Sequence, residues 1–357
     1  MKTTEILRFF ESRFLCQILK KTSMWSKPAQ IWVEPTARCN LRCLICSRRY
    51  EGGKAVERAG FMSREIFMKI APYFKTCRLV YLSGFGSSLL HPDFFWMLDK
   101  VKRSGSVNTK LISNGLLIGD GNADKLIEYG LDNLEISIDA IDPQIYNKIR
   151  GADINLLLNN LKNLRKAKQD ANSLVPHLSI HFVAMKDNIA ELPKIIDLAA
   201  EIGAELVGVG NLMVHTEALK GQNLFMHKDL GLRYFKIAIE RAKNLGIELT
   251  LPNLNENKSR CYHLFESLFI TWDGLVLSCD FEKHLLGDLK NNSIEEIWNG
   301  KTLKELRKRY LKLGLDRLCP NCSRWKNDGE ALLNPDPDNH KKVARLSVNA
   351  HKSRNNK

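Results

Sequence analysis

Short apolar segments typical of strands alternate with amphipathic segments typical of helices between residues 30 and 210, and this alternation limits the possible folds. The predicted strands cover residues 30–34, 78–82, 109–112, 134–138, 178–184 and 205–209. The predicted helices between them cover residues 64–71, 93–103, 122–129, 155–168 and 189–202. Such alternation favours an α/β fold in which helices pack outside a parallel sheet. Six strand–helix units are too few for the eight of a closed barrel.

Turn and capping residues add detail to this pattern. Pro72 predicts the end of the first helix, and Asp229 predicts the N-cap of a later helix at residues 230–244. Asp273-Gly274 predicts a β-hairpin between residues 268–271 and 275–278. A strand is expected at residues 247–251, and helices are expected at residues 294–298 and 303–313.

Cys39, Cys43 and Cys46 directly follow the first predicted strand, at the spacing Cys-x3-Cys-x2-Cys. Thiolates are soft ligands that suit iron–sulfur clusters or zinc. Closed sites of either kind use four ligands, so three cysteines would leave one metal position open. The alternatives are a zinc knuckle or three buried thiols.

This cysteine spacing resembles the radical S-adenosylmethionine (SAM) superfamily. The resemblance implies a [4Fe–4S] cluster on the three cysteines, with an open iron that chelates the amino and carboxylate groups of SAM. It also implies reductive cleavage of SAM to a 5′-deoxyadenosyl radical that abstracts hydrogen from a substrate. The implied fold is a partial (β/α)6 TIM-like barrel with cofactors at the C-terminal ends of the strands, where parallel sheets generally bind ligands. Ile45 stands where the family usually has an aromatic residue.

The loop after the second predicted strand is similar to the glycine-rich SAM-binding motif of this family. Gly84 and Gly86 would let the backbone approach a ligand closely. Ser87 stands at the position of the usual glutamate, which supports the amino group of SAM. A serine can accept a hydrogen bond but carries no charge. A tight turn between a strand and a helix is the alternative interpretation of this loop.

Two further loops supply predicted SAM contacts. Ser113 and Asn114 resemble the start of the family's Thr-Asn-Gly, although a plain turn would use the same residues. Ser137 and Asp139 resemble the family's Ser-x-Asp and point to the same face of a strand. They are predicted to hold the ribose or the carboxylate of SAM, with Asp139 alternatively capping the next helix.

Three more polar residues are candidates for the site. Arg150, in the similar downstream Tyr-x3-Arg-Gly motif, is the catalytic candidate because it could pair with an anionic group. A structural ion pair is the alternative role for Arg150. His181 could reach the substrate or lie in the core, and Asn211 could contact adenosine.

Four later cysteines form a second group, made up of Cys261, Cys279, Cys319 and Cys322. Four thiolates make a closed site that suits zinc or a four-iron cluster. The spacing resembles the twitch domain, the shortened form of the SPASM domain that follows radical SAM cores. The resemblance implies one auxiliary [4Fe–4S] cluster, with zinc as the alternative.

Composition limits the class of protein. The chain has 357 residues, 44% hydrophobic and 26% charged, which fits a soluble globular protein. No apolar run approaches the ~18 residues of a membrane span. The net charge of +14 is spread out and not interleaved with aromatic residues, so a nucleic-acid partner is not expected. Nine cysteines without a secretion signal favour the reducing cytoplasm.

Four segments are expected along the chain. They are an amphipathic N-terminal helix in residues 1–27, the radical SAM core in 28–250, the auxiliary cluster domain in 251–330 and a basic tail in 331–357. The N-terminal segment is shorter than the winged-helix module that often accompanies peptide substrates. We therefore expect oxidation of a small-molecule or sugar-like substrate, with electrons from an external flavodoxin- or ferredoxin-type donor. Peptide modification and a non-catalytic iron–sulfur or zinc protein are the alternatives.

Overall fold

The computed structural model describes residues 16–46, 50–51, 54–55, 60–105, 107–119, 121–254, 261–280, 284–314 and 318–319. The predictions for residues 1–15, for Cys322 and for the tail at 331–357 lie outside the described residues. None of the helices in the described part of the chain is both long enough and apolar enough to span a membrane.

The strands and helices are as follows. The strands are β1 (Gln30–Val33), β2 (Tyr50–Glu51), β3 (Lys54–Ala55), β4 (Leu79–Leu82), β5 (Asn108–Ser113), β6 (Asn133–Ser137), β7 (His177–Ala184), β8 (Leu206–Asn211), β9 (Glu248–Thr250), β10 (Ser267–Ile270), β11 (Leu275–Leu277) and β12 (Leu285–Asp288). The α-helices are α1 (Cys16–Ile18), α2 (Arg64–Phe74), α3 (Phe94–Lys102), α4 (Asn122–Glu128), α5 (Pro143–Arg150), α6 (Ile154–Asp170), α7 (Leu192–Ile202), α8 (Lys228–Leu245), α9 (His263–Glu266), α10 (Ile294–Trp298) and α11 (Lys301–Leu313).

Ten of these strands form a single sheet in the order β12-β11-β10-β1-β4-β5-β6-β7-β8-β9. All pairs from β10 to β9 are parallel, whereas β10, β11 and β12 pair in antiparallel fashion. In the described part of the chain the sheet has two free edges, β9 and β12, so the barrel is open. The predicted α/β fold with a partial barrel is confirmed.

Burial alternates along the central strands and separates the two faces of the sheet. In β7, Leu178, Ile180, Phe182 and Ala184 are buried in the main hydrophobic core, while the residues between them are only half-buried. Each fully buried Leu, Ile or Phe side chain stabilises the fold by about 1.5–3 kcal/mol relative to exposure. The less buried face carries polar side chains such as Ser137 of β6 and His181 of β7.

Four details differ from the sequence predictions. Helix α2 continues through Pro72 to Phe74, because Tyr73 and Phe74 are buried and their packing outweighs the lost backbone hydrogen bond. Asp229 is not the cap of α8: the cap is His227, and Asp229 lies in the first turn near the positive end of the helix dipole. The sequence patterns predicted neither α5, which is short and largely polar, nor the four-residue β12.

Candidate active site

A cavity of about 300 Å³ lies where the parallel strands end, and it gathers most of the predicted site residues. Its lining includes these predicted metal and SAM residues: Cys39, Cys43, Cys46, Gly84, Gly86, Ser87, Ser113, Asn114, Ser137 and Arg150. His181 also lines the cavity. Asp139 is fully buried and is not part of the lining, and Asn211 is not part of it either.

The glycine-rich loop holds the cysteine loop by backbone contacts. The N–H of Ser87 donates to the carbonyl oxygen of Arg38 at 2.7 Å. A Cβ atom at Gly86 would clash with the carbonyl oxygens of Thr36 and Arg38, which are backbone atoms and cannot move aside cheaply. Gly86 therefore allows the two loops to touch, which is the close backbone approach for which glycine is suited.

Glu34, at the end of β1, joins three segments, and the sequence patterns did not single it out. Its side chain is buried, and its two carboxylate oxygens accept from the N–H of Phe85 at 2.8 Å and of Trp272 at 3.2 Å. A Cβ at Gly84 would clash with the Glu34 side chain. Since Phe85 belongs to the glycine-rich loop and Trp272 to the β10–β11 turn, Glu34 links the barrel to the later cysteine region.

The polar side chains of the cavity fall into two groups. Ser113 Oγ accepts from the N–H of Gly115, and Asn114 Oδ1 accepts from the N–H of Leu116, so both residues shape a turn as well as line the cavity. Within the described part of the chain, the hydroxyls of Ser87 and Ser137 have no hydrogen-bond partner. These two hydroxyls are therefore available to a ligand.

Arg150 connects α5 to the cysteine loop. Its Nε lies 2.5 Å from Asp139 Oδ2 in a buried ion pair, and its positive charge acts on the nearby Cys43 thiol. Burial opposes the charged guanidinium, but Asp139 and Cys43 outweigh that effect and raise the pKa of Arg150. Burial likewise raises the pKa of the Cys43 thiol, although Arg150 favours the thiolate. Asp139 does not cap α5; that role belongs to Asp142.

The later cysteines are contributed by separate segments. The N–H of Cys261 donates to the phenol oxygen of Tyr310 in α11 at 3.2 Å. Cys279 follows β11, and Cys319 follows α11 with its Sγ 3.9 Å from His284 Nε2. Cys322, the fourth predicted ligand, lies outside the described residues.

The two cysteine regions meet at the cavity, because Asp280, the residue after Cys279, is part of the same lining as Cys39, Cys43 and Cys46. Among the residues that the structure describes, no three His, Cys, Asp or Glu side chains converge on a single metal ion. A four-iron cluster takes its cysteines on different irons and spaces them more widely than one ion does. Three thiols and two available hydroxyls on one cavity fit such a cluster with a polar ligand beside it.

Comparison with known families decides the class of protein. Residues 33–199 match the model of the radical SAM superfamily, and residues 261–323 match that of an iron–sulfur cluster-binding domain called SPASM. The chain belongs to the radical SAM superfamily. It is an enzyme that uses a [4Fe–4S] cluster, SAM and an auxiliary iron–sulfur cluster. Neither a zinc site nor a non-catalytic protein is supported.

Curated relatives cover most of the chain. The tungsten-containing aldehyde ferredoxin oxidoreductase cofactor-modifying protein of Pyrococcus furiosus is 24% identical over 319 residues, 82% of this chain and 86% of that protein. A probable GTP 3′,8-cyclase of Methanocaldococcus jannaschii is 28% identical over 258 residues, 68% of this chain and 82% of that protein.

Solved structures share the fold. SuiB of Streptococcus suis bound to S-adenosylmethionine has a TM-score of 0.64 and 16% identity, over 81% of this chain and 70% of that one. Native anSMEcpe with bound AdoMet has a TM-score of 0.61 and 19% identity, over 90% of this chain and 98% of that one. Both agree with the partial barrel described above.

Proposed function

We propose that this radical SAM enzyme oxidises a small-molecule substrate by hydrogen abstraction, with the auxiliary cluster close to the reacting site. The observation that supports this proposal is that Asp280, next to Cys279, lines the same cavity as Cys39, Cys43 and Cys46. A substrate in that cavity would lie beside the residues of both cysteine regions. Oxidation needs an electron acceptor, and a second cluster near the substrate can serve as one.

The names of the curated relatives favour a small molecule over a peptide. The curated relatives are named for acting on GTP or on a tungsten enzyme's cofactor, which are not peptides. Peptide modification is the competing hypothesis.

We assign the following roles to the chain's own residues. Cys39, Cys43 and Cys46 would hold the SAM cluster, and Cys261, Cys279, Cys319 and Cys322 would hold the auxiliary cluster. When bound, these clusters and SAM supply the radical chemistry and the electron transfer. Ser87 and Ser137 would donate or accept hydrogen bonds to SAM through their available hydroxyls. Leu41, Ile45 and Val183 line the cavity with apolar surface, which limits water around a reactive substrate.

Arg150 and Asp139 have supporting roles in this proposal. The Arg150 guanidinium pairs with Asp139 and favours the thiolate form of Cys43, so we assign it a supporting role for the cysteine loop. Asp139 does not line the cavity, but it pairs with Arg150 and accepts from the N–H of Val183 at 2.8 Å, and both of these residues line it. Asp139 is therefore a positioning residue in our proposal. The sequence suggested that Asp139 holds SAM and that Arg150 pairs with an anionic group. In our proposal the two side chains instead pair with each other.

Anaerobic reconstitution tests the proposal. We expect about eight irons in the wild type and about four in a Cys39→Ala/Cys43→Ala/Cys46→Ala variant, since each cubane cluster holds four. With dithionite and SAM, only the wild type should form 5′-deoxyadenosine, measured by mass spectrometry. Iron-loaded wild type that neither binds nor cleaves SAM would contradict the proposal.

A second arm separates the substrate classes. A cell extract is passed through an ultrafiltration membrane, and the filtrate is added to the wild-type enzyme either directly or after protease treatment. Stimulation of 5′-deoxyadenosine formation that survives protease supports a small molecule, and stimulation that protease abolishes supports a peptide. GTP is included as a defined probe, because relatives are named for it. A flavodoxin- or ferredoxin-type donor and a cytoplasmic location stay predictions.

A further inference from the structure

His284 lies at the point where the hairpin of β11 and β12 meets the chain beyond α11. Its carbonyl oxygen accepts from the N–H of Ser278 at 3.0 Å, which places it across the hairpin from the residue before Cys279. Its ring lies against Cys319, with Nε2 3.9 Å from Sγ. His284 is thus fixed by backbone pairing beside one cysteine of the auxiliary group and in contact with another.

The contact is shielded from water. His284 and Cys319 each expose only 8% of their surface. Buried polar groups are generally hydrogen-bonded, and a hydrogen bond gains strength where water is excluded. A hydrogen bond between this nitrogen and this sulfur is therefore strong enough to change the charge density on the sulfur measurably.

We propose that His284 donates a hydrogen bond from Nε2 to the thiolate of Cys319 and thereby raises the reduction potential of the auxiliary cluster. A cysteine bound to iron is a thiolate, which accepts but does not donate, so the Nε2 atom carries the proton. A donor aimed at the sulfur stabilises negative charge, and the reduced cluster carries one more negative charge than the oxidised one. Hydrogen bonds to the sulfurs are among the factors that set the potential of iron–sulfur clusters.

This role deepens the proposed function, on which it rests, because it makes the auxiliary cluster a better electron acceptor during substrate oxidation. It is a positioning and tuning role. The ring acts on the cluster through Cys319 and does not touch the cavity that holds the predicted SAM residues. The effect is therefore measurable without knowing the substrate.

The experiment uses the full chain with Cys39→Ala/Cys43→Ala/Cys46→Ala, so that only the auxiliary cluster is present. His284→Phe removes the donor while keeping a ring, and His284→Gln keeps an N–H donor at a similar distance. After anaerobic reconstitution, iron is counted and the midpoint potential is measured by redox titration with electron paramagnetic resonance. We expect about four irons in all variants, a lower potential for His284→Phe and a potential near that of the parent for His284→Gln.

The control is His177→Phe, since His177 pairs with Glu205 at the N-terminal end of β7 and has no cysteine among its partners in the described residues. Its potential should equal that of the parent. Equal potentials for His284→Phe and the parent, with iron retained, would overturn the role of His284 alone. Iron loss in both His284 variants would overturn it too, by making His284 a ligand. A parent that binds no iron would overturn the cluster assignment itself and the role of His284 with it.

Discussion

The two cysteine regions of this enzyme are assembled in different ways. Cys39, Cys43 and Cys46 lie in one loop directly after β1, and backbone contacts to the glycine-rich loop and to Ile149 hold that loop. Cys261, Cys279 and Cys319 come from three segments that are joined by the hairpin of β11 and β12 and by Tyr310 of α11. A local site needs its loop held in shape, whereas a dispersed site needs correct packing of the elements that carry it.

This difference predicts how cluster binding in each region responds to substitutions. The first region depends on close backbone approach, for which no other residue can replace glycine without a clash. The second depends on side chains that bridge elements, and each bridge contributes a modest amount. Perturbing the first region should therefore cause abrupt loss of one cluster, while perturbing the second should produce graded effects.

Gly86→Val tests the first region and has the largest expected effect. The added side chain would clash with the carbonyl oxygens of Thr36 and Arg38 and push the cysteine loop away. We expect the reconstituted variant to hold about four irons instead of about eight, because the auxiliary cluster does not depend on this contact. Iron and sulfide counts check the prediction.

Gly208→Ala is the matched control, a glycine in β8 of the same sheet. A Cβ there would have its nearest neighbour, Thr250 Oγ1, at 3.5 Å, which is ordinary contact. The Gly208→Ala variant should retain about eight irons. If Gly86→Val also retained about eight irons, the close contact between the two loops would not be needed for cluster binding.

The sequence anticipated the local region better than the dispersed one. The spacing of Cys39, Cys43 and Cys46 and the strand before them are contiguous in the chain, so a pattern could predict both the ligands and their place in the fold. Glu34 escaped prediction because its two partners, Phe85 and Trp272, are 51 and 238 residues away. A lone carboxylate at a strand end does not indicate which amides it will meet.

The auxiliary region shows the same limit. Its cysteine spacing suggests candidate ligands, which stay predictions. The contact between His284 and Cys319 depends on the pairing of β11 with β12, and β12 is too short to be recognised by alternation. The parallel pairing of β10 with β1 was likewise not predicted, because it joins strands from opposite ends of the chain. Pairings between distant segments follow from the fold as a whole.

Arg150→Met has the next largest expected effect, on stability. It leaves the Asp139 carboxylate buried without its partner, and breaking a buried ion pair in this way costs about 3–5 kcal/mol. Urea unfolding of the cluster-free protein at neutral pH should show a lower midpoint. The double variant Asp139→Asn/Arg150→Met should recover part of the loss, because the unpaired charge is gone. Equal midpoints for the single and double variants would contradict this explanation.

Replacing His91 has the smallest expected effect. It tests how the free energy of unfolding depends on pH. Its Nε2 donates to the carbonyl oxygen of Met62 and its Nδ1 accepts from the N–H of Asp93, and the second contact needs the neutral ring. Burial lowers the pKa of His91 below its usual value near 6.5, despite the bond to Met62. The unfolded chain then binds the proton more tightly than the folded protein. The stability that the neutral ring contributes is present above the unfolded pKa and is lost as the pH falls below it.

We expect the free energy of unfolding to fall more steeply between about pH 7 and pH 5 for the wild type than for His91→Gln. Other titrating groups are common to both proteins, so identical slopes would mean that His91 titrates alike in the folded and unfolded states.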